Sequence, residues 1–231
     1  DMVAHWPTFS GQRKAHLDHI AVILSDAQAP LTSAEATETV FVDASFSGTE
    51  LGTVLNPYVQ LTTALAAKLV DAATTTYVFK LAPGEYTGGV DINHTNALQS
   101  FSIVGSGENN TFVQAGANWN AGRATDCLKF RDFVNVEISD LCIRYAAYGF
   151  YPRSCARVLM RDVRFVNCGS DGTVNRHDQS GTQLEQAAHW AANNPSNGGA
   201  CRIRSITEVG IYDCTVEYCA RLLRIQDSGS S

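Results

Sequence analysis

The 231-residue chain has little of several things, and each shortage excludes something. Basic residues are short: 17 Lys and Arg against 23 Asp and Glu give a formal charge of −6. Nucleic acid is therefore not expected as the main partner, because neutralising phosphates needs a basic surface. Long apolar runs are absent. The longest near the N-terminus is His19–Leu24, far short of the roughly 20 residues a helix needs to cross a bilayer, so no membrane span is expected. No C-x-x-C spacing occurs. The seven cysteines, Cys127, Cys142, Cys155, Cys168, Cys201, Cys214 and Cys219, are an odd number that cannot all pair within one chain. They read as small buried hydrophobes carrying reduced thiols. His16 and His19 lack a third ligand at matched spacing, so neither metal nor cofactor is expected.

What is present falls into three stretches: residues 1–38, 39–76 and 77–231. The first is polar and mixed, with a short helix expected over Gln12–Ala27. The second reads as a strand (Thr39-Val40-Phe41-Val42), a loop with Gly48, Gly52, Asn56 and Pro57, and a helix over Tyr58–Ala73 with Leu61, Leu65 and Leu69 spaced by four. The third alternates apolar residues in very short runs separated by Gly, Asn and Asp.

That alternation conceals a repeat. Val136-Glu-Ile-Ser-Asp140, Val158-Leu-Met-Arg-Asp162 and Val209-Gly-Ile-Tyr-Asp213 share one pattern, with a short step from 136 to 158 and a long one from 158 to 209. Leu128-Lys-Phe130, Phe150-Tyr-Pro152, Cys201-Arg-Ile203 and Leu223-Arg-Ile225 keep the same steps: short, long, short. Upstream, Phe79 and Phe101 are again one short step apart. The surplus in the long step falls in an insertion over residues 172–198, rich in Gly, Asn, Ser and Gln. Short strands joined by bends and stacked in parallel explain such a period, with inward residues forming apolar columns. The helix at Tyr58–Ala73 would then cap one end of the stack.

Further motifs point the same way. Phe41-Val42-Asp43, Gly52-Thr53 and Asn56-Pro57-Tyr58 are followed by Leu81-Ala-Pro83-Gly84-Glu85-Tyr86, then by Ile103-Val-Gly105-Ser-Gly107 and Thr111. In that order they resemble the N-terminal part of the pectin-lyase-like superfamily, with phage tailspikes as the favoured subgroup. The resemblance implies an all-β fold, a right-handed parallel β-helix with coils of about 22 residues, an N-terminal capping helix and a short N-terminal extension. This superfamily hosts lyases, hydrolases, esterases, epimerases and adhesins, so fold alone does not give function. The esterase motifs that the resemblance would require are missing: no Gln-Asp-Thr occurs, and Asp171-Gly172-Thr173-Val174-Asn175 carries Asn where a nucleophilic Asp is needed.

Three constellations are candidates for function. The repeat places Lys129, Tyr151, Arg202 and Arg224 in one outward column and Arg131, Arg153, Arg204 and Gln226 in the next. Stacked like charges repel, so a basic ladder points to an acidic partner, or to a solvated face partly neutralised by Asp132 and Asp227. Asp140, Asp162 and Asp213 form a carboxylate column. Adjacent carboxylates can cleave glycosidic bonds, but Asp repeated at a bend more simply turns the chain. The insertion holds Asn175, Arg176, His177, Asp178, Glu185, His189 and Trp190, a set suited to sugar binding or acid–base work, or to covering one face.

The leading expectation is a tailspike-like structural and attachment protein of a virion or extracellular surface. Its partners would be a glycan and other chains of a homo-oligomer, with a trimer as the expected form. The rival is a polysaccharide lyase or glycoside hydrolase acting on an acidic polysaccharide, with Asp140, Asp162, Asp213, His177 and Asp178 as catalytic candidates and Arg176 and Trp190 among the binding residues. A purely structural assembly protein is the third class. Leu223–Ile225 starts a further coil without an evident cap, so the chain is expected to continue or to be covered there by another chain.

Overall fold

The computed structural model describes residues 37–69, 75–93, 99–118, 125–169, 199–217, 219 and 223–226. The expected Gln12–Ala27 helix, the His16/His19 pair and the whole 172–198 insertion lie outside the described residues. The fold is all-β with parallel pairing throughout: fourteen strands and one helix among the described residues. No helix among them is long and apolar enough to cross a membrane.

The strands build three parallel ladders. The first contains β1 (Thr37–Val42), β2 (Thr76–Leu81), β5 (Ser100–Val104), the front halves of β8 (Asn135–Ala146) and β10 (Arg157–Cys168), and β12 (Glu208–Tyr212). The second contains β3 (Gly84–Thr87), β6 (Thr111–Gln114), the rear halves of β8 and β10, and β13 (Thr215–Glu217). The third contains β4 (Val90–Asn93), β7 (Leu128–Arg131), β9 (Tyr148–Arg153), β11 (Gly199–Arg204) and β14 (Leu223–Gln226). From β2 onward the chain visits first, second and third ladder in that order, and each visit pairs with the preceding one.

The registers of the later circuits match the repeat. Val136 pairs with Val158 and Val158 with Val209, the short and the long step. Leu128 pairs with Phe150, and Cys201 with Leu223, both at the short step. The earlier circuits depart from it. Phe79 meets Ile103 rather than Phe101, so the partner lies two positions further along. Ser100 meets Asn135, and Val90 meets Leu128, both at clearly longer separations. Ladder pairing fixes which residues face inward, while the connections between strands vary in length, so a coil of uniform length does not extend upstream.

Residues with positive φ sit at the junctions between ladders. Asp132, Ser154 and Ser205 turn the chain from third to first ladder, with φ of 63°, 53° and 55°. Asp140, Asp162 and Asp213 turn it from first to second, at 56°, 52° and 50°. Tyr145 and Asn167 turn it from second to third, at 55° and 56°. Asp, Asn and Ser suit this because a short polar side chain tolerates the left-handed region better than others do. Gly84 and Gly107 take positive φ at the corresponding first-to-second junctions upstream. Gly105 is required by space: a Cβ there would collide with the Asp140 carbonyl, and that carbonyl accepts the Gly107 N–H at 2.8 Å.

The inward columns form one core. Phe101 packs edge-on against Phe130 and Phe133, with ring centroids 4.7 and 4.9 Å away, and Phe79 and Phe150 extend the cluster. Tyr86 is buried, and its hydroxyl reaches the Val42 and Ala82 carbonyls at 3.0 and 2.8 Å. Burial pushes its pKa up to about 12, so it stays a neutral donor that ties β3 to the end of β1.

The helix, α1, spans Leu61–Lys68, shorter at its start than the expected Tyr58–Ala73. Tyr58 is held by a parallel bridge to Val42: its N–H donates to the Phe41 carbonyl and its own carbonyl accepts from Asp43. Those bonds keep Tyr58 extended. Residues 70–74, where the expected helix ends, are outside the described residues. Leu61, Ala64 and Leu65 are buried in the same core as Val40 and Val42.

At the other end of the first ladder, β12 is the last strand among the described residues. Val136 and Val158 are 1% and 0% exposed, but Val209, in the same column, is 38% exposed; Ile211, in line with Ile138 and Met160, is also at 38%. Among the described residues β12 pairs only with β10, leaving its other edge without a strand. An apolar face beside an unpaired edge favours association. The 231-residue chain should therefore self-associate with rising concentration in sedimentation velocity, and Val209→Ser with Ile211→Ser should shift it toward monomer. An unchanged distribution would separate this end from the association.

The corners give a second prediction. Asp162 is exposed, so its substitution tests backbone conformation with little packing change. In urea unfolding, Asp162→Gly should stay within about 1 kcal/mol of the parent, while Asp162→Val should lose about 1–2 kcal/mol more because its Cβ meets the left-handed penalty.

Candidate functional site

The third ladder carries the most distinctive chemistry. Leu128, Phe130, Phe150, Cys201 and Ile203 point inward and are buried; Lys129, Arg131, Arg153, Arg202 and Arg204 alternate with them on the outer side and are partly exposed. Register places Asp91, Lys129 and Tyr151 in one column, continued by Arg202 and Arg224. Asn93, Arg131, Arg153, Arg204 and Gln226 make the next. The expected columns are thus reproduced, with Asp91 and Asn93 added below them. The side chains of Arg224 and Gln226 are outside the described residues.

The column is not a bare stack of like charges. Lys129 Nζ lies 2.7 Å from Asp91 Oδ2, and Arg131 is 3.6 Å from the same oxygen. Asp91 therefore meets these cations, while Asp132 occupies a corner. Tyr151 separates the next two cations. Lys129 Nζ lies 5.9 Å from its ring centroid and the Arg202 guanidinium 4.6 Å, with Arg202 also 5.2 Å from the Tyr148 ring. Two like charges about 4 Å apart in water repel by about 1 kcal/mol, and placing Tyr151 between them at least doubles the spacing of the rungs. A cation over an aromatic face gains about 0.5–2 kcal/mol, so the local balance favours this order of residues. Tyr151 is only 7% exposed, so the accessible features are the cationic heads around it.

Beside the lower end of the column is a cleft of about 280 Å³ lined by Gly89, Val90, Asp91, Thr125, Asp126 and Lys129. It falls just below the roughly 300–1,000 Å³ usual for ligand sites. Gly89 permits the close approach of its two walls, since a Cβ there would come within 2.7 Å of the Asp126 carbonyl oxygen. Val90 N–H donates to the Cys127 carbonyl at 2.7 Å, and Cys127 N–H to the Tyr148 carbonyl at 2.8 Å, joining the wall to the ladder. Burial raises the Asp126 carboxyl above the ordinary carboxylate range; Lys129, the Tyr148 backbone N–H and Arg202 pull it down, and Asp91 pushes it up. The cleft thus holds two carboxyls in unlike settings, with Asp91 ion-paired to Lys129 and Asp126 raised by burial.

Asp140, Asp162 and Asp213 sit at the corners between the first and second ladders, away from the cleft lining. Arg176, His177, Asp178 and Trp190, with Asn175, Glu185 and His189, lie outside the described residues. Sequence reasoning missed Asp91, Asp126 and Tyr148. Asp91 stands further from its column neighbour Lys129 than one period of the repeat, so the repeat does not connect them, and Asp126 belongs to no repeated pattern. Three outward arginines on the other ladders have carboxylate partners: Arg144 with Glu85, Arg157 with Glu208, and Arg164 with Glu217 through two nitrogens at 3.0 and 2.8 Å.

Comparison with models of known protein families finds no match, and comparison with curated proteins finds no relative. The functional reading therefore rests on the residues.

Asp126 supplies a pH test. Its folded pKa is raised, so the unfolded chain ionises first as pH rises from about 3.9. Stability attributable to this group is highest below that value, falls as pH climbs through the raised folded pKa, and is flat above it. Asp126→Asn should abolish that fall, so melting temperatures of parent and variant should diverge across this acidic window in the variant's favour. Parallel curves would remove Asp126 as a buried titrating group.

Proposed function

We propose that the chain is a right-handed parallel β-helix of the pectin-lyase-like, tailspike-like type. In this reading it is a structural and attachment module of a virion or extracellular surface that binds an acidic glycan along its third ladder. The cyclic visiting of three parallel ladders, stacked at the strand spacing of about 4.8 Å, supports the architecture. The observation that carries the function is the outward column of Lys129, Tyr151 and Arg202, flanked by Arg131, Arg153 and Arg204, on a chain whose net charge is −6. Concentrating cations on one face of an acidic protein favours an anionic ligand. Guanidinium groups suit carboxylate or sulfate through paired hydrogen bonds. The exposed Val209 and Ile211 on β12 support a homo-oligomer, for which a trimer is the proposed form.

A second reading, a hydrolase or lyase acting on the same acidic polysaccharide, is favoured by the cleft. Glycosidic cleavage uses two carboxyls in unlike environments, and the cleft sets Asp126, raised by burial, beside Asp91, which is ion-paired to Lys129. Titration of the chain with polyuronate, sulfated and sialylated polysaccharides, against neutral glucans, tests the first reading. Binding should be confined to acidic polymers and weaken with salt, and Arg202→Ala with Lys129→Ala should reduce affinity about tenfold or more. Failure to bind any acidic polymer, or binding indifferent to both substitutions, overturns it. New reducing ends or unsaturated-sugar absorbance that disappear in Asp126→Asn would establish the second.

A further inference from the structure

All seven cysteines are reduced thiols, and two of them face each other across the longest step in the repeat. We propose that Cys168 and Cys219 are a modification site: in the presence of a small disulfide oxidant they form a disulfide that clasps β10 to the segment following β13. The inference is independent of the glycan reading.

The ladder sets up the pair. Arg164 pairs with Thr215, Phe165 with Val216 and Val166 with Glu217. Continuing that register past the positive-φ corner at Asn167, which breaks the simple alternation, brings Cys168 opposite Cys219, with Cys168 buried in the core. The contact is direct: Cys168 N–H donates to Cys219 Sγ at 3.3 Å, although the two lie far apart in sequence. Parallel rungs about 4.8 Å apart fall within the Cα range of about 4.4–6.8 Å that disulfides use.

The two thiols differ in access. Cys168 is fully buried, its sulfur 3.7 Å from the Ile143 carbonyl and 3.6 Å from that of Val166. Cys219 is half-buried, with its sulfur 3.3 Å from the Glu217 carbonyl. Cys219 is therefore the entry thiol and Cys168 the resolving one. The Cys219 thiol loses its proton to solvent, and its thiolate attacks one sulfur of the oxidant, expelling the first small thiolate. Cys168 then gives up its proton and attacks Cys219 Sγ in the mixed disulfide, expelling the second. Two protein thiols become one disulfide, the oxidant is reduced to two thiols, and the two released protons balance the two thiolates. Burial raises the Cys168 pKa, so the resolving step is the slower one.

The probe is oxidised glutathione, applied to the intact 231-residue chain and followed by thiol counting in denaturant and by non-reducing peptide mapping. Proteolysis after Tyr218 separates Cys219 from Cys214. The expected result is a fall from seven titratable thiols to five, a mapped Cys168–Cys219 link, and a rise in melting temperature of about 5 °C or more that dithiothreitol reverses. Seven unreacted thiols, a glutathione adduct that persists on Cys219, or a link between Cys201 and Cys214 instead would each overturn the proposal. A Cys168–Cys219 link that leaves the melting temperature unchanged would overturn its role as a clasp.

Discussion

The constraint on which the structure depends is that every circuit must turn where the circuit beneath it turns. Parallel ladders pair residue for residue, so a bend displaced by one position would put inward side chains on the outer surface. The chain meets this by placing positive-φ residues in register at all three junctions, as the columns Asp132/Ser154/Ser205, Asp140/Asp162/Asp213 and Tyr145/Asn167 show. Each such non-glycine residue costs up to about 1–2 kcal/mol, and the cost recurs in every circuit. The ladder offsets it by keeping Phe, Val, Ile and Leu in unbroken buried columns, where each side chain gains about 1.5–3 kcal/mol on burial. Tyr145 is the least suited of the corner residues, and the Arg144 guanidinium 5.2 Å from its ring centroid gives it a local partner.

This constraint also explains what was legible in the sequence. Where two circuits share both corners and connections, as from β8 to β10, the period is visible as Val136/Val158, Ile138/Met160 and Asp140/Asp162 in one register. The long step preserves the same corners on either side, so the register across it was readable once the insertion was set aside. Upstream, the corners are glycines and the connections differ in length. The apparent match of Phe79 with Phe101 was a coincidence of two similar strands; the pairing that buries both is shifted by two positions, which keeps the same faces inward. The start of α1 failed for a different reason, since apolar spacing carries no information about the bridge that holds Tyr58 extended.

The candidate site divides along the same line. Its outward column was legible because it rides on the repeat; its cleft was not, because Asp91 and Asp126 stand where the repeat breaks down. The acidic corner column, read from the sequence as a turn-forming repeat with catalysis as the alternative, has a sufficient account in backbone geometry: three Asp residues at one junction all adopt φ between 50° and 56°. Repetition favours structural causes, because every circuit needs the same turn. A reactive centre needs unlike residues in one place, and repetition at one junction does not supply them.

Charge along the third ladder follows a comparable logic. On the first and second ladders Arg157 meets Glu208 and Arg164 meets Glu217 across neighbouring rungs, while Arg161 lies over the Tyr212 ring. On the third, Asp91 serves the lowest rung, and an aromatic ring from the neighbouring rung lies beside Arg202. Tyr151 stabilises the cation above it without neutralising its charge. What sets this face apart is the density of its cations: Lys129, Arg131, Arg153, Arg202 and Arg204 stand in two adjacent columns, and a cation packed over a ring loses little conformational freedom when a ligand binds.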